Sequence, residues 1–218
     1  MLDWDHNRYY QRVLLRQLPR RCRRAVDIGC GAGEFAVELA RRCDHVDAVD
    51  RSAEMIAAAE RRTPENVNCV LADVLTDPIP GEDYDAIVSI TALHHMPLEQ
   101  ILPVLADALR PGGVLAAVAL PRTDLPRELP VEIGAAIAHR VFGAVFLATR
   151  MLGGGGFAND NRRGAMPVVL DPPLTTRQVA EVAATLLPGA RVRRLLFWRY
   201  RITWHKPAVS SAAGSAQR

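Results

Sequence analysis

The stretch that most restricts how this 218-residue chain can fold is Ala25-Val26-Asp27-Ile28-Gly29-Cys30-Gly31-Ala32-Gly33-Glu34-Phe35-Ala36. Ala25–Ile28 reads as a buried strand and the glycines as a tight turn. Glu34–Arg42 reads as an amphipathic helix with Phe35, Val37, Leu39 and Ala40 on its apolar side. A strand that passes through glycines straight into a helix begins a parallel crossover, the unit of α/β sheets that bind nucleotides. Gly29, Gly31 and Gly33 lack a Cβ, so the turn can take unusual dihedrals and a ligand can lie against the main chain. The spacing separates ligand classes. A dinucleotide fingerprint, G-x-G-x-x-G, needs its third glycine at position 34, where this chain has Glu34. The acid Asp27 before the turn suits a cationic ligand and is awkward beside a pyrophosphate.

The alternation continues down the chain. His45–Asp50 reads as a second strand, and Asp50 follows Gly31 by 19 residues. An acid so placed at a strand end can accept both hydroxyls of a ribose. Ser52 is the better N-cap for the next helix, which carries Ala53, Met55, Ile56 and Ala59; Arg51 and Met55 fall near the same pocket. The run Val67–Val74 reads as a third strand with Asp73 at its end, and Asp77-Pro78-Ile79-Pro80-Gly81 as a loop. Tyr84–Ile90, the fourth strand, runs into Thr91-Ala92-Leu93-His94-His95-Met96-Pro97. The helix Leu98–Leu109, stopped by Arg110-Pro111-Gly112-Gly113, leads to a fifth strand, Val114–Leu120. Thr175 or Thr176 caps a helix over Arg177–Leu187, and Val192–Phe197 and Tyr200–His205 are the last two strands. Five strand–helix steps and two final strands predict an α/β fold: a seven-stranded, mainly parallel sheet with helices on both faces.

The G-x-G-x-G turn behind Asp27, the acid Asp50 and the run Leu109-Arg110-Pro111-Gly112-Gly113-Val114-Leu115 together resemble class I S-adenosylmethionine-dependent methyltransferases. The resemblance covers roughly residues 20–120 and, more loosely, 174–206. It implies a Rossmann-like sheet and S-adenosyl-L-methionine as cofactor, released as S-adenosyl-L-homocysteine. It also implies residue roles. Asp27, Gly29, Cys30, Gly31 and Gly33 surround the amino-acid part of the cofactor, and Asp50, Arg51 and Met55 its ribose side. Asp73 meets the adenine amine, with Ala72 and Val74 on the ring; the competing reading of Asp73 is a turn residue. Thr91 and Ala92 end strand four beside the methyl group. His94 and His95 are the first candidates for a catalytic base, since histidine titrates near neutral pH. By resemblance His95 faces the acceptor and His94 is structural; otherwise the pair packs a helix start.

Residues 3–18 read as an N-terminal helix, capped by Asp3 or Asp5 and stopped by Pro19. The resemblance implies a lid over the cofactor, with Tyr9 or Tyr10 facing the site; the alternative is amphipathic packing of these rings. His6 and His139 are weaker candidates on lid elements. Residues 121–173 break the alternation. Leu129–Leu152 is apolar but interrupted by Glu132, His139, Arg140, Thr149 and Arg150, so it makes a poor membrane span. It is expected as an inserted helical lid after strand five, or as a homodimer contact. The expected organisation is a single domain over 1–206, with an N-terminal helix over 1–19, the insertion over 121–173 and a disordered tail over 207–218.

Composition excludes little. The chain is 49% hydrophobic and 23% charged, with net charge +3, too slight a basic excess to argue for nucleic acid. Arg20–Arg24 reads as a solvated linker. Four cysteines, at 22, 30, 43 and 69, show no C-x-x-C spacing, so neither a metal site nor a disulfide framework is expected. The polar first fifteen residues carry no secretion signal, so a cytoplasmic protein is expected. The expected activity is methyl transfer to a small, partly hydrophobic acceptor at O, N or C, by in-line displacement. No Asn-Pro-Pro-Tyr follows strand four, and no acidic metal triad is visible. The alternatives are a protein of the same fold that binds the cofactor without transferring methyl, and an RNA or protein methyltransferase using the arginines at 20–24 and 191–201.

Overall fold

The computed structural model describes residues 6–124, 134, 140, 141 and 172–208. In chain order the elements are α1 (His6–Leu15), β1 (Cys22–Ile28), α2 (Glu34–Ala40), β2 (Cys43–Asp50), α3 (Ala53–Glu60), β3 (Val67–Leu71) and β4 (Tyr84–Ile90). A 3-10 turn (Leu93–His95) precedes α4 (Leu98–Ala108), β5 (Leu109–Ala119), α5 (Thr176–Leu186), β6 (Arg191–Leu195) and β7 (Arg199–His205). The seven strands form one sheet in the order β3-β2-β1-β4-β5-β7-β6. β3, β2, β1, β4 and β5 pair in parallel, and β7 runs antiparallel to both β5 and β6.

The central strands are buried on both faces, so their residues divide between two cores. Ala25, Ala86, Val88, Val114 and Val118 point to one side, where they meet Tyr10 and Leu14 of α1, Phe35 and Leu39 of α2 and Ile56 of α3. Val26, Ile28, Ile87, Leu115 and Ala117 point to the other, against Leu98, Ile101, Leu102 and Leu105 of α4 and Val179 and Ala183 of α5. Near-continuous apolar strands are what a sheet covered on both faces requires. Pro103 sits inside α4 but on its exposed side, where water can satisfy the carbonyl it leaves without a partner.

Several boundaries differ from the sequence reading. α1 ends at Leu15 rather than Leu18. β3 ends at Leu71, because the N–H groups of Thr76 and Asp77 both turn back to the Asp73 carbonyl. β6 ends at Leu195, before a reversal in which Phe197 and Trp198 take positive φ. α4 ends at Ala108, and strand pairing begins at once: Tyr84 pairs with Leu109 and Ala86 with Val114. The expected helix stop, Arg110-Pro111-Gly112-Gly113, is therefore a bulge inside β5, opposite Asp85. Arg110 folds back there to bond the Asp85 carboxylate. Thr175, not Thr176, caps α5; its hydroxyl accepts the Gln178 N–H while the Gln178 side chain accepts the Thr175 N–H.

The basic run before the first strand is not all linker. Arg23 and Arg24 lie within β1, and their N–H groups donate to Asp85. The Arg24 side chain bonds the buried Asp47 at 2.9 Å, which also accepts from the Tyr84 hydroxyl at 2.7 Å and from Asn68 at 2.9 Å. Burial opposes the Asp47 charge, yet these donors hold its carboxyl below the usual range. The expected insertion is almost wholly outside the described residues, as are Asp3, Asp5, His139, the segment 129–152 apart from 134, 140 and 141, and the tail from 209. No helix among the described residues is long and apolar enough to cross a membrane.

Candidate active site

The strand order reverses between β1 and β4, since β1 is flanked by β2 on one side and β4 on the other. In an open α/β sheet such a reversal leaves a crevice outside the carboxyl ends of the two strands. Here that crevice is a cavity of about 430 Å³, well within the range of small-ligand pockets. Asp27 and the turn after β1 line it, together with the ends of β2 and β4, the segment after β3, and one side of α1.

The turn is held by backbone geometry that its glycines permit. Gly29, Gly31 and Gly33 all have positive φ. The N–H groups of Gly29 and Cys30 both donate to the Val49 carbonyl, at 2.8 and 3.0 Å. At Gly29 the constraint is steric as well: a Cβ there would lie 2.2 Å from the Ala92 Cβ. Gly33 does not line the cavity; it starts α2 and packs on Ala59, so its role is helix placement.

Asp50 closes the β2 side. Its Oδ2 accepts the Gly31 N–H and its Oδ1 the Ser52 N–H, both at 2.9 Å. Each oxygen keeps a further lone pair for a ligand hydroxyl. Ser52 caps α3, as its side chain accepts the Met55 N–H. Arg51, Met55, Ala72 and Val74 line the same cavity. Asp73 does too, and is also a turn residue: its Oδ1 accepts the Leu75 N–H at 3.1 Å. Asp73 is thus a turn residue that also lines the cavity.

Asp27 contrasts with Asp50. It is 1% exposed, and its Oδ2 has no hydrogen-bond partner among the described residues. Burial, with the Asp50 charge nearby, pushes its pKa up to about 8. Cys30 lies beside it, buried, and burial followed by the Asp27 charge pushes its thiol up as well.

At the end of β4, Thr91 takes φ 56°, a rare value for a β-branched residue. It is held there by its N–H to the Val118 carbonyl at 2.7 Å and its hydroxyl to the Ile90 carbonyl at 2.8 Å. That sharp turn lays Ala92 against Gly29 and opens the 3-10 turn, which aims the two histidines differently. His95 lines the cavity; burial and the charge of Arg51 lower its pKa, so it is neutral at physiological pH. His94 is buried, does not line the cavity, and is pushed down to about 3 by burial and then by His95 and Arg199. The two rings stand 4.1 Å apart.

The N-terminal helix meets the cavity with residues other than the tyrosines. Tyr10 is buried and its hydroxyl donates to the Leu196 carbonyl; Tyr9 packs edge-on against Tyr10 and Phe197. Neither ring lines the cavity, which corrects the expectation that one would face the site. Asn7 and Gln11 line it instead. Their spacing of four puts both on one helix face. Asn7 also donates to the Thr91 hydroxyl at 3.4 Å, joining α1 to the end of β4.

Comparison with known proteins follows the same lines. A family model described as a methyltransferase domain matches residues 25–113. An uncharacterized methyltransferase of Mycobacterium tuberculosis is 31% identical over 209 residues, spanning 94% of this chain and 98% of its own. The chain belongs to the class I S-adenosylmethionine-dependent methyltransferases. A trans-aconitate 2-methyltransferase of Mycobacterium tuberculosis is 33% identical over 162 residues, 65% of this chain and 60% of that one. Two solved structures share the fold. The N-methyltransferase NodS from Bradyrhizobium japonicum has TM-score 0.58 at 17% identity, over 92% of this chain and 96% of its own. The DhpI complex with S-adenosylhomocysteine has TM-score 0.61 at 18% identity, over 93% and 85%.

The methyltransferase's cavity fits S-adenosylmethionine by its own chemistry. An orphaned buried carboxylate, Asp27, suits an ammonium group. A carboxylate with spare acceptor capacity, Asp50, suits vicinal hydroxyls, and a glycine floor admits close approach. Among the described residues no cluster of His, Cys, Asp or Glu could hold a metal.

Proposed function

We propose that this methyltransferase moves a methyl group onto a small, partly apolar acceptor that enters beside His95. The observation that carries this reading is that Asp27, Asp50, Asp73, Thr91 and His95 all line one cavity at the β1/β4 reversal. Bound S-adenosylmethionine supplies a methyl group already activated by its sulfonium. The chain's residues do the rest. Asp27 and the turn hold the amino-acid end, Asp50 accepts the ribose hydroxyls, and Asp73 with Ala72 and Val74 receives the adenine. Thr91 and Ala92 shape the wall beside the reacting carbon. Alignment of acceptor and methyl in such a site lowers a barrier by roughly 7–11 kcal/mol in favourable cases. His95, neutral and at the wall, takes the acceptor's proton when it has one to lose. Met96 and Ile90 line the same wall and favour an acceptor with an apolar part. The likeness to a protein named for trans-aconitate supports a small-molecule acceptor.

The test is a two-stage assay. Titration with S-adenosylhomocysteine and with NAD should show binding of the first alone. A panel of small carboxylates, phenols, amines and bulk RNA, incubated with S-adenosylmethionine, should then release S-adenosylhomocysteine only with a small molecule. Turnover on RNA alone would replace this reading with the macromolecular one.

A further inference from the structure

Asp27 is a buried carboxyl whose Oδ2 has no hydrogen-bond partner among the described residues. It lies one residue before the end of β1, 1% exposed, at the cavity wall. The groups around it do not help. Asp50, from β2, is a like charge that already has the N–H groups of Gly31 and Ser52. Cys30, from the turn, is a buried thiol. α1 brings the uncharged Asn7 and Gln11, α2 brings Phe35, and β4 ends in Thr91. Arg51, Arg61 and Arg62 also line the cavity, as do Glu34, Glu54 and Asp73; among the described residues none donates a hydrogen bond to the Asp27 Oδ2, and the nearby charge that adds to its burial is that of Asp50.

We propose that Asp27 is protonated in the empty cavity and exchanges that proton for the cofactor's ammonium group, so that cofactor binding releases a proton to solvent. The inference rests on the cofactor assignment above and adds the proton balance. Asp27–COOH and R–NH3+ become an Asp27–COO−/R–NH3+ pair and one H+; no bond to carbon changes. The physical reason is that a lone buried carboxylate is costly, while the same carboxylate beside a fixed cation is compensated. Burial and Asp50 together push the Asp27 pKa up to about 8. The sign follows. The bound state holds fewer protons than the free state, so affinity rises with pH by up to about tenfold per unit below pH 8 and flattens above it.

Calorimetric titration with S-adenosylhomocysteine as the probe, at about pH 6.5 in phosphate and in Tris, tests this directly. The slope of observed heat against buffer ionisation enthalpy gives the protons exchanged. The wild type should release close to one proton per site. Asp27→Asn, which keeps the shape and the neutral state, should release none and bind at least about tenfold more weakly, with its melting temperature kept. Binding by the wild type without proton release, or equal release by Asp27→Asn, overturns the proposal and leaves the cofactor assignment standing. No binding of the probe by the wild type overturns the cofactor assignment, and the proposal with it.

Discussion

The Asp50 carboxylate accepts the Gly31 N–H at 2.9 Å, so the end of β2 braces the glycine turn that leaves β1. One side chain therefore shapes the cavity floor and, in the proposed role, also accepts the ribose hydroxyls. Asp50→Ala removes both functions. Affinity for S-adenosylhomocysteine should fall by roughly 100-fold, the scale of one or two hydrogen bonds to a charged group, and Asp50→Asn should retain part of it. Binding titrations decide; an alanine variant that binds like wild type would rule out this placement.

Gly29 and Gly112 both have positive φ, at 71° and 76°, but different surroundings. A Cβ at Gly29 would lie 2.2 Å from Ala92, whereas at Gly112 the nearest atom would be 3.8 Å away. Gly112→Ala should cost about 1 kcal/mol of stability, from backbone strain alone. Gly29→Ala should cost roughly 2–4 kcal/mol and weaken cofactor binding as well, because the β4 exit must move. Equal losses in urea unfolding of the two variants would show that Ala92 yields freely.

His94 is buried neutral, with a pKa near 3 in the fold against 6.5 for the free side chain. Its folded pKa is depressed, so the unfolded chain binds the proton first as pH falls. Its stabilising contribution is full above 6.5 and is lost progressively toward pH 3, at up to about 1.4 kcal/mol per unit. His94→Asn should flatten the fall in melting temperature between about pH 6.5 and 4.5, above the range where the depressed carboxyls of Asp47 and Asp85 titrate. An unchanged slope would mean that the ring finds water in the folded state.

His95→Ala should leave S-adenosylhomocysteine affinity within about twofold and lower turnover by roughly 100-fold on an acceptor that must lose a proton. On an acceptor with no proton to lose the effect should be small. Unchanged turnover across the pH range would remove His95 from the chemistry.

Arg24→Ala breaks the ion pair to Asp47 but leaves Asp47 its bonds from Tyr84 and Asn68. Stability should fall by about 2 kcal/mol, less than for a buried charge with no remaining partner. Cofactor affinity should not change, since neither residue lines the cavity. A matched loss of affinity would show that the base of the sheet is coupled to its carboxyl end.

The parts of the site legible in sequence were those set by local chain geometry. Strand, glycines and helix in succession announced the turn, and the 19-residue interval from Gly31 placed Asp50. Ser52 and Thr175 were readable as caps because an N-cap needs only a side-chain oxygen two or three residues ahead of an N–H. The bulge at Arg110–Gly113 was not, because a proline and two glycines after a helix read equally as a stop; pairing with β4 carries the strand through them.

Sequence alone determined the sheet type, the turn and the acids on it, because a period of two or 3.6 and a glycine's missing Cβ act within a few residues. Tertiary structure alone decided that Asn7 and Gln11, not Tyr9 and Tyr10, reach the cavity. It also decided that Arg24 belongs to Asp47 and that, among the described residues, the Asp27 Oδ2 has no partner while Asp50 accepts two N–H groups. The reason is physical: which side chain faces a cavity, and which charge finds a donor, depends on groups brought together from distant strands, and no local pattern records their distance.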